Sequence, residues 1–489
     1  MRRSVASNMA RGSALSLAKL VTGLFRIKLV ALAIGVAGVG GFTLVSQIAL
    51  AGVTLVGMSM AVPIINLGRP ALASGDIAEA GAIAGTGLAV IALNSVIALL
   101  LLIAGGRWLL PVMGIDDLSP FTLPAIAVAI TIGALASGFC EGMTFLADRF
   151  DLYVRAGIAS AVLDVVTFGI GTWAFGLDGA VVALALSPIG LLAAYLVGLS
   201  SDPTARQLFA NLRVQLRRLP ALLTYSGLML GTAAATNVGL TLLRTHVLVE
   251  AGRVDNGYLQ TATALATYLL TFVTNGVWGH LHPIAAADGD TAMVRTELRA
   301  TVRLATLMAF AACGGTALLA PVLIPLFYAR DFAAAAPLLR LYMAGEFAFQ
   351  LYAVLLAYQL TIRQRRRYAL LSSLYLLPLL VTGWPLISRF GAFGYAWAHI
   401  AASVTALVAS AALSWREGQL RWPTIVAILL AYALLAAILT ADALINAWEM
   451  KLLLLLPIAL AGGILARELL RLRQGGANTP ASTSGAGRA

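Results

Sequence analysis

Charge is what this chain has least of. Only 11% of its 489 residues are Asp, Glu, Lys or Arg, where an ordinary globular chain carries about 25%. Two cysteines, Cys140 and Cys313, both inside apolar runs, exclude a disulfide framework. Of the four histidines, His280 and His282 are too close together for one helical face and have no Cys or acid cluster beside them. No metal site is expected there. The chain holds no G-x-x-x-x-G-K-[ST] phosphate loop, which excludes ATP hydrolysis by this polypeptide. G-x-S-x-G and H-E-x-x-H are also missing. No cofactor and no catalytic constellation is called for, and the chain reads as a non-enzyme.

Apolar residues are abundant instead, at 60%, with a mean hydropathy of +0.91. Fourteen membrane helices of about 20 residues each would occupy about 280 positions, which matches that fraction. The bilayer is the solvent, so soluble enzymes and nucleic-acid binders are excluded. The net charge of +12 then marks cytoplasmic loops rather than a nucleic-acid partner. The first apolar stretch contains Lys19, Arg26 and Lys28, a poor core for a cleaved signal peptide.

Windows of about twenty residues place spans near 14–36, 41–66, 80–104, 122–147, 157–175 and 179–199. A second set falls near 220–249, 257–284, 301–327, 336–362, 368–387 and 392–415, and an extra pair near 423–444 and 451–470. The fold expected is an all-α polytopic membrane protein: two parallel six-helix lobes, 14–199 and 220–415, plus the extra pair within 423–470. A cytoplasmic N-terminus (1–13), a cytoplasmic linker (200–219) and a disordered cytoplasmic tail (474–489) complete it. With both termini cytoplasmic, 23 of the 33 basic residues lie on the cytoplasmic side, as the positive-inside rule requires. The opposite side receives six, Arg340 among them. No outer loop is long enough to hold a catalytic domain.

The halves repeat. Ala73-Ser74-Gly75-Asp76 recurs as Ala287-Asp288-Gly289-Asp290, and Pro111 with Asp117 recurs as Pro325 with Asp331, both 214 residues later. Gly41-Phe42 recurs as Gly257-Tyr258 at 216. A shared offset across six spans describes a parallel repeat, and transporters place substrate at such a repeat interface.

Seven charges remain inside the membrane: Lys19, Arg26, Lys28 and Arg244, and the acids Glu141, Asp164 and Glu346. Each costs about 2.5–3.5 kcal/mol at mid-bilayer unless it is paired, hydrated or facing a ligand. Lys28 and Arg244 are repeat mates at 216, a symmetric pair suited to gripping a divalent anion such as pyrophosphate. Lys19 and Arg26, seven apart, share one helical face. Lys28 is nine from Lys19, so either the helix kinks near Gly23 or the three do not line one cavity. The acids either neutralise the cations or carry a coupling proton. Gln47, Asn94, Asn237 and Asn275 could hydrogen-bond sugar hydroxyls, although such amides more often bridge neighbouring helices.

These residues resemble a known family. The resemblance rests on Lys19 and Lys28, then Gly35-Val36-Ala37-Gly38-Val39-Gly40 and Gln47, then Arg244. It continues through Phe332 with Ala336-Pro337-Leu338-Leu339, Gly345-Glu346, Tyr368 and Gly391-Ala392-Phe393-Gly394. The succession, from about residue 12 to 415, is similar to the O-antigen and enterobacterial-common-antigen translocases of the multidrug/oligosaccharidyl-lipid/polysaccharide exporter superfamily. The resemblance implies flipping of an undecaprenyl-pyrophosphate-linked glycan across the bacterial inner membrane by alternating access. It assigns Lys19, Lys28, Arg244 and Gln47 to positions carrying the same residue type in the family, and implies membrane lipids and polysaccharide polymerase and chain-length machinery as partners. The extra helix pair is similar to that of the lipid II flippases, but their Ser-Arg signature is missing from the first span. A drug/cation antiporter of the same fold, a lipid II flippase and a non-transporting scaffold are the alternatives.

Overall fold

The computed structural model describes residues 2–112, 120–288, 291–361, 364–444, 453–464 and Arg467. Every regular element among them is helical, since a lipid-embedded backbone must satisfy its own hydrogen bonds. The order is α1 (Arg2–Gly57), α2 (Ala61–Ala73), α3 (Ile77–Val112), α4 (Thr122–Ala134), a π-helical segment Leu135–Cys140, and α5 (Glu141–Leu146). Then come α6 (Phe150–Ser200), α7 (Pro203–Ala210), α8 (Leu219–Asp288), α9 (Ala292–Phe327), α10 (Ala336–Thr361), α11 (Arg365–Arg416) and α12 (Trp422–Leu444).

Four of these helices are hairpins. Each is broken once, at a glycine whose positive φ and extended ψ other residues rarely adopt. The breaks fall in matched pairs. Gly35 (φ 65, ψ −173) and Gly252 (φ 85, ψ 179) are 217 residues apart, and Gly176 (φ 59, ψ −131) and Gly391 (φ 55, ψ −131) are 215 apart. A Cβ on Gly171 would meet the carbonyl of Gly179, and one on Gly394 that of Leu386. These close approaches, again 215 apart, show the arms folding back antiparallel. The repeat seen in the sequence is therefore built into the turns. Counting each hairpin as two crossings and adding the apolar helix Leu455–Ile464 gives fourteen.

The buried side chains form two core clusters. Leu44, Ile64, Ile126 and Met143 of the first lobe centre one; Phe310, Met343, Phe347 and Leu379 of the second lobe centre the other, which also takes in Val30, Val39 and Phe168 from across the interface. At the end of the bundle opposite the N-terminus the lobes touch reciprocally. A Cβ on Gly40 would strike the Arg253 carbonyl, and one on Gly257 would strike the Val36 carbonyl. Asn256 Nδ2 donates to the Gly40 carbonyl at 2.7 Å across the same junction. These contacts join the lobes at this far end.

The extra pair packs on the second lobe, where Ile458 and Leu435 fill the space beside Gly314 of α9. Arg340 lies within α10 and meets the buried Asp442 of α12 at 2.9 Å. Arg340 thus sits in the first turns of α10, inside the span expected near 336–362, with a buried acidic partner one helix away. The linker docks on α3. Asp202 caps α7 by accepting from Ala205 N–H at 2.8 Å, and the absence of side chains at Gly81 and Gly85 lets the backbone of Asn211 and Arg213 approach. Gln215 N–H donates to Thr86 Oγ1 at 3.0 Å, and Arg217 and Arg218 both pair with Glu79.

Candidate functional site

Four of the seven intramembrane charges converge. Lys19 and Arg26 from α1, Glu141 from α5 and Asp164 from α6 line one cavity of about 330 Å³, which Tyr268 of α8 closes from the other lobe. The first arm of α1 is unbroken at Gly23. Its lack of a side chain there admits the Tyr268 ring instead. On a straight helix, residues seven apart share a face, so Lys19 and Arg26 enter the cavity together. The π-helical turn Leu135–Cys140 immediately precedes Glu141 and resets the phase at which this carboxylate emerges. Arg26 is held on three sides: Asp164 Oδ2 at 3.5 Å, the Tyr268 hydroxyl at 3.3 Å, and the Phe168 ring with its centroid 5.1 Å away. Lys19, nearer the N-terminal end, is exposed.

The cavity therefore holds two cations and two acids, formally neutral. Three charges of the sequence reading go elsewhere. Lys28 and Arg244, the proposed symmetric pair, are not brought together. Lys28 points to the opposite face of the helix, as nine residues of spacing require, and donates to the carbonyls of Tyr328 and of Pro325 at the end of α9. Those are the orphan acceptors of a helix C-terminus, where a cation is favoured. Arg244 is buried and turns to its own hairpin partner, donating to Gln260 Oε1 at 2.6 Å and Thr263 Oγ1 at 2.7 Å. Glu346 is buried in the second lobe, accepting from Gln350 at 2.7 Å, with His399 Nε2 at 3.2 Å. His399 in turn meets the Tyr375 hydroxyl at 3.1 Å and stacks on Tyr342.

The amides divide likewise. Asn94 donates to the Val56 carbonyl at 3.3 Å and Asn237 to Thr54 Oγ1 at 3.1 Å, both bridging helices. Gln47 faces a second, smaller cavity. The side chain of Asn275, like those of His280 and His282, lies outside the described residues. Among the described residues no cluster of three or more His, Cys, Asp or Glu could hold a metal.

Sequence reading missed Tyr268, Gln260, His399 and Asp442. Gln260 was within reach, because it stands 217 residues after Thr43, the offset of the turn glycines, and both line the smaller cavity.

No family model and no curated protein matches this chain. Solved structures do. A lipid II flippase MurJ, inward closed, superposes with a TM-score of 0.70 at 12% identity, over 94% of this chain and 99% of that one. An inward-facing multidrug resistance MATE family transporter of the MOP superfamily gives 0.65 at 14%, over 88% and 96%. The MATE transporter VcmN of Vibrio cholerae gives 0.62 at 17%, over 85% and 97%. At these identities the likeness is one of fold. The chain is a multi-pass helical membrane protein that shares its fold with these transporters.

Proposed function

We propose that this protein is a flippase for polyprenyl-pyrophosphate-linked oligosaccharides, of the undecaprenyl type, working by alternating access in the bacterial inner membrane with both termini cytoplasmic. One observation carries the reading: Lys19 and Arg26 enter a single interlobe cavity, one exposed and the other paired with Asp164 at 3.5 Å. A pyrophosphate carries about two negative charges, and two cations in a low-dielectric cleft attract it far more strongly than in water. Asp164 supplies the release: with the cavity empty it pairs Arg26, so ligand and carboxylate exchange on the same guanidinium. The fourteen crossings and the MurJ-like fold support a lipid-linked cargo whose tail stays in the bilayer.

The test is translocation of a short undecaprenyl-pyrophosphate oligosaccharide between leaflets of proteoliposomes. Wild type should move it, Lys19→Ala and Arg26→Ala should lose most of the rate, and all three should insert equally. A second reading rests on Glu141 and Asp164, which with Tyr153, Tyr195 and Tyr268 would suit an organic cation. It predicts movement of organic cations and none of the lipid, with Glu141→Ala the most damaging change. A scaffold predicts silence from every one of these variants.

A further inference from the structure

The site has a second chamber with a different chemistry. A cavity of about 180 Å³ adjoins the first, and Arg26 and Tyr268 line both. Apart from Arg26, which is turned to Asp164, its described lining is uncharged. Two amides line it from opposite lobes, Gln47 on the second arm of α1 and Gln260 on the second arm of α8, together with the edge-to-face pair Phe42–Phe168.

The orientation of Gln260 is fixed. A guanidinium has only donors, so the group that Arg244 grips at 2.6 Å is the amide oxygen, and the Gln260 NH₂ is left to donate. Gln47, half-buried, has no hydrogen-bond partner among the described residues and lines the cavity, so its amide is open to a ligand there. Two presented amides, hydroxyl side chains and an aromatic wall, with no free charge, match an uncharged, hydroxyl-rich ring.

We infer that the inner chamber is a sugar subsite. It takes a neutral pyranose of the lipid-linked glycan while Lys19 and Arg26 hold the pyrophosphate in the outer chamber, and so it rests on the flippase reading. Gln47 and Gln260 read the ring hydroxyls. Arg244 is a positioning residue that aims Gln260. Because each lobe contributes one amide, the ring is clasped only when the lobes are closed around it.

The experiment is calorimetric titration of the purified full chain with undecaprenyl pyrophosphate, bare or carrying one neutral hexose. Wild type should bind the glycosylated lipid at least tenfold more tightly. Gln47→Leu and Gln260→Leu should each erase about fivefold of that preference, the scale of one hydrogen bond, with affinity for the bare lipid unchanged. Arg244→Ala should reduce the preference in the same way and Arg244→Lys should restore part of it. Gln47→Leu breaks no hydrogen bond among the described residues, so it stays informative even if the Gln260 and Arg244 variants fold poorly. Equal wild-type affinity for both lipids overturns the sugar subsite and leaves the flippase standing, as does an equal loss on both lipids in Gln47→Leu. Binding of neither lipid overturns the subsite together with the flippase reading.

Discussion

Lys28 on α1 and Tyr328, just beyond the end of α9, are joined across the lobe interface: the ammonium donates to the Tyr328 carbonyl and, at 2.9 Å, to that of Pro325. One lobe thus caps a helix of the other at the far end, where the lobes are joined. Opening that end must expose four things at once: the ammonium, the two carbonyls and the Asn256 amide that bonds Gly40.

Replacing Lys28 should therefore unlatch the far end. Hydrogen bonds to charged groups contribute about 1.5–3 kcal/mol, so Lys28→Met should raise the far-side-open population at least tenfold. The measurement is maleimide labelling, from the far side, of Ser46→Cys in the inner chamber, in a background lacking Cys140 and Cys313. Lys28→Arg should label close to the wild-type rate. An unchanged rate in Lys28→Met would mean that the contact does not hold the lobes.

The reciprocal glycines give a paired test. Gly40→Ala and Gly257→Ala each drive a methyl into a carbonyl of the opposite lobe, so both should spread the far end and raise the same labelling to a similar degree. Gly41→Ala is the control, because its Cβ would meet only Arg253 Cδ, at 4.0 Å.

Arg340→Ala should destabilise the second lobe, since it leaves Asp442, only 2% exposed, without its cation. Breaking a buried pair from one side costs about 3–5 kcal/mol, whereas replacing both partners by apolar residues is often neutral. A lowered Tm in detergent for the single variant, recovered in Arg340→Leu/Asp442→Leu, is the expected pattern. Additive losses would contradict it.

The linker has an acid-sensitive joint. Burial pushes the Asp202 carboxyl up, but the Ala205 N–H and the Arg149 guanidinium at 2.7 Å outweigh it and hold the group below its ordinary value of 3.8. A depressed pKa stabilises the fold at pH above the unfolded value, and that stabilisation is lost as pH falls through the folded one. Asp202→Asn keeps a competent helix cap and removes the charge. Its stability should sit slightly below wild type at neutral pH, by about 1 kcal/mol or less for a pair whose guanidinium is partly exposed, read as a lowered Tm, and the two should converge below pH 3.8.

Much of this molecule could be read from its sequence because hydropathy and repeat spacing are one-dimensional signals. The spans, the six-plus-six-plus-two pattern and the repeat offset came from those alone. The spacing of Lys19, Arg26 and Lys28 also foretold that the third would leave the cavity if the helix stayed straight. Partner choice was not readable. These helices are apolar nearly all round, so no polar stripe announces which face meets which neighbour. Repeat symmetry suggested that Lys28 and Arg244 act together, but each is satisfied by a different acceptor, the end of α9 in the opposite lobe for one and Gln260 in its own hairpin for the other. Asp442 was concealed because Arg340 had been counted only as a far-side cation, with no partner sought for it. Glu141 was visible, but the π-turn that aims it was not.

The docked linker also bears on how the chain is jointed. Because Asn211, Arg213, Gln215 and the Arg217–Arg218 pair are fastened to α3, the connector is carried as cargo by the first lobe and has no slack of its own. Any relative rotation of the lobes must swivel at the few bonds around Leu219 and Pro220. The connector then acts as a single pivot between the lobes rather than as a flexible tether.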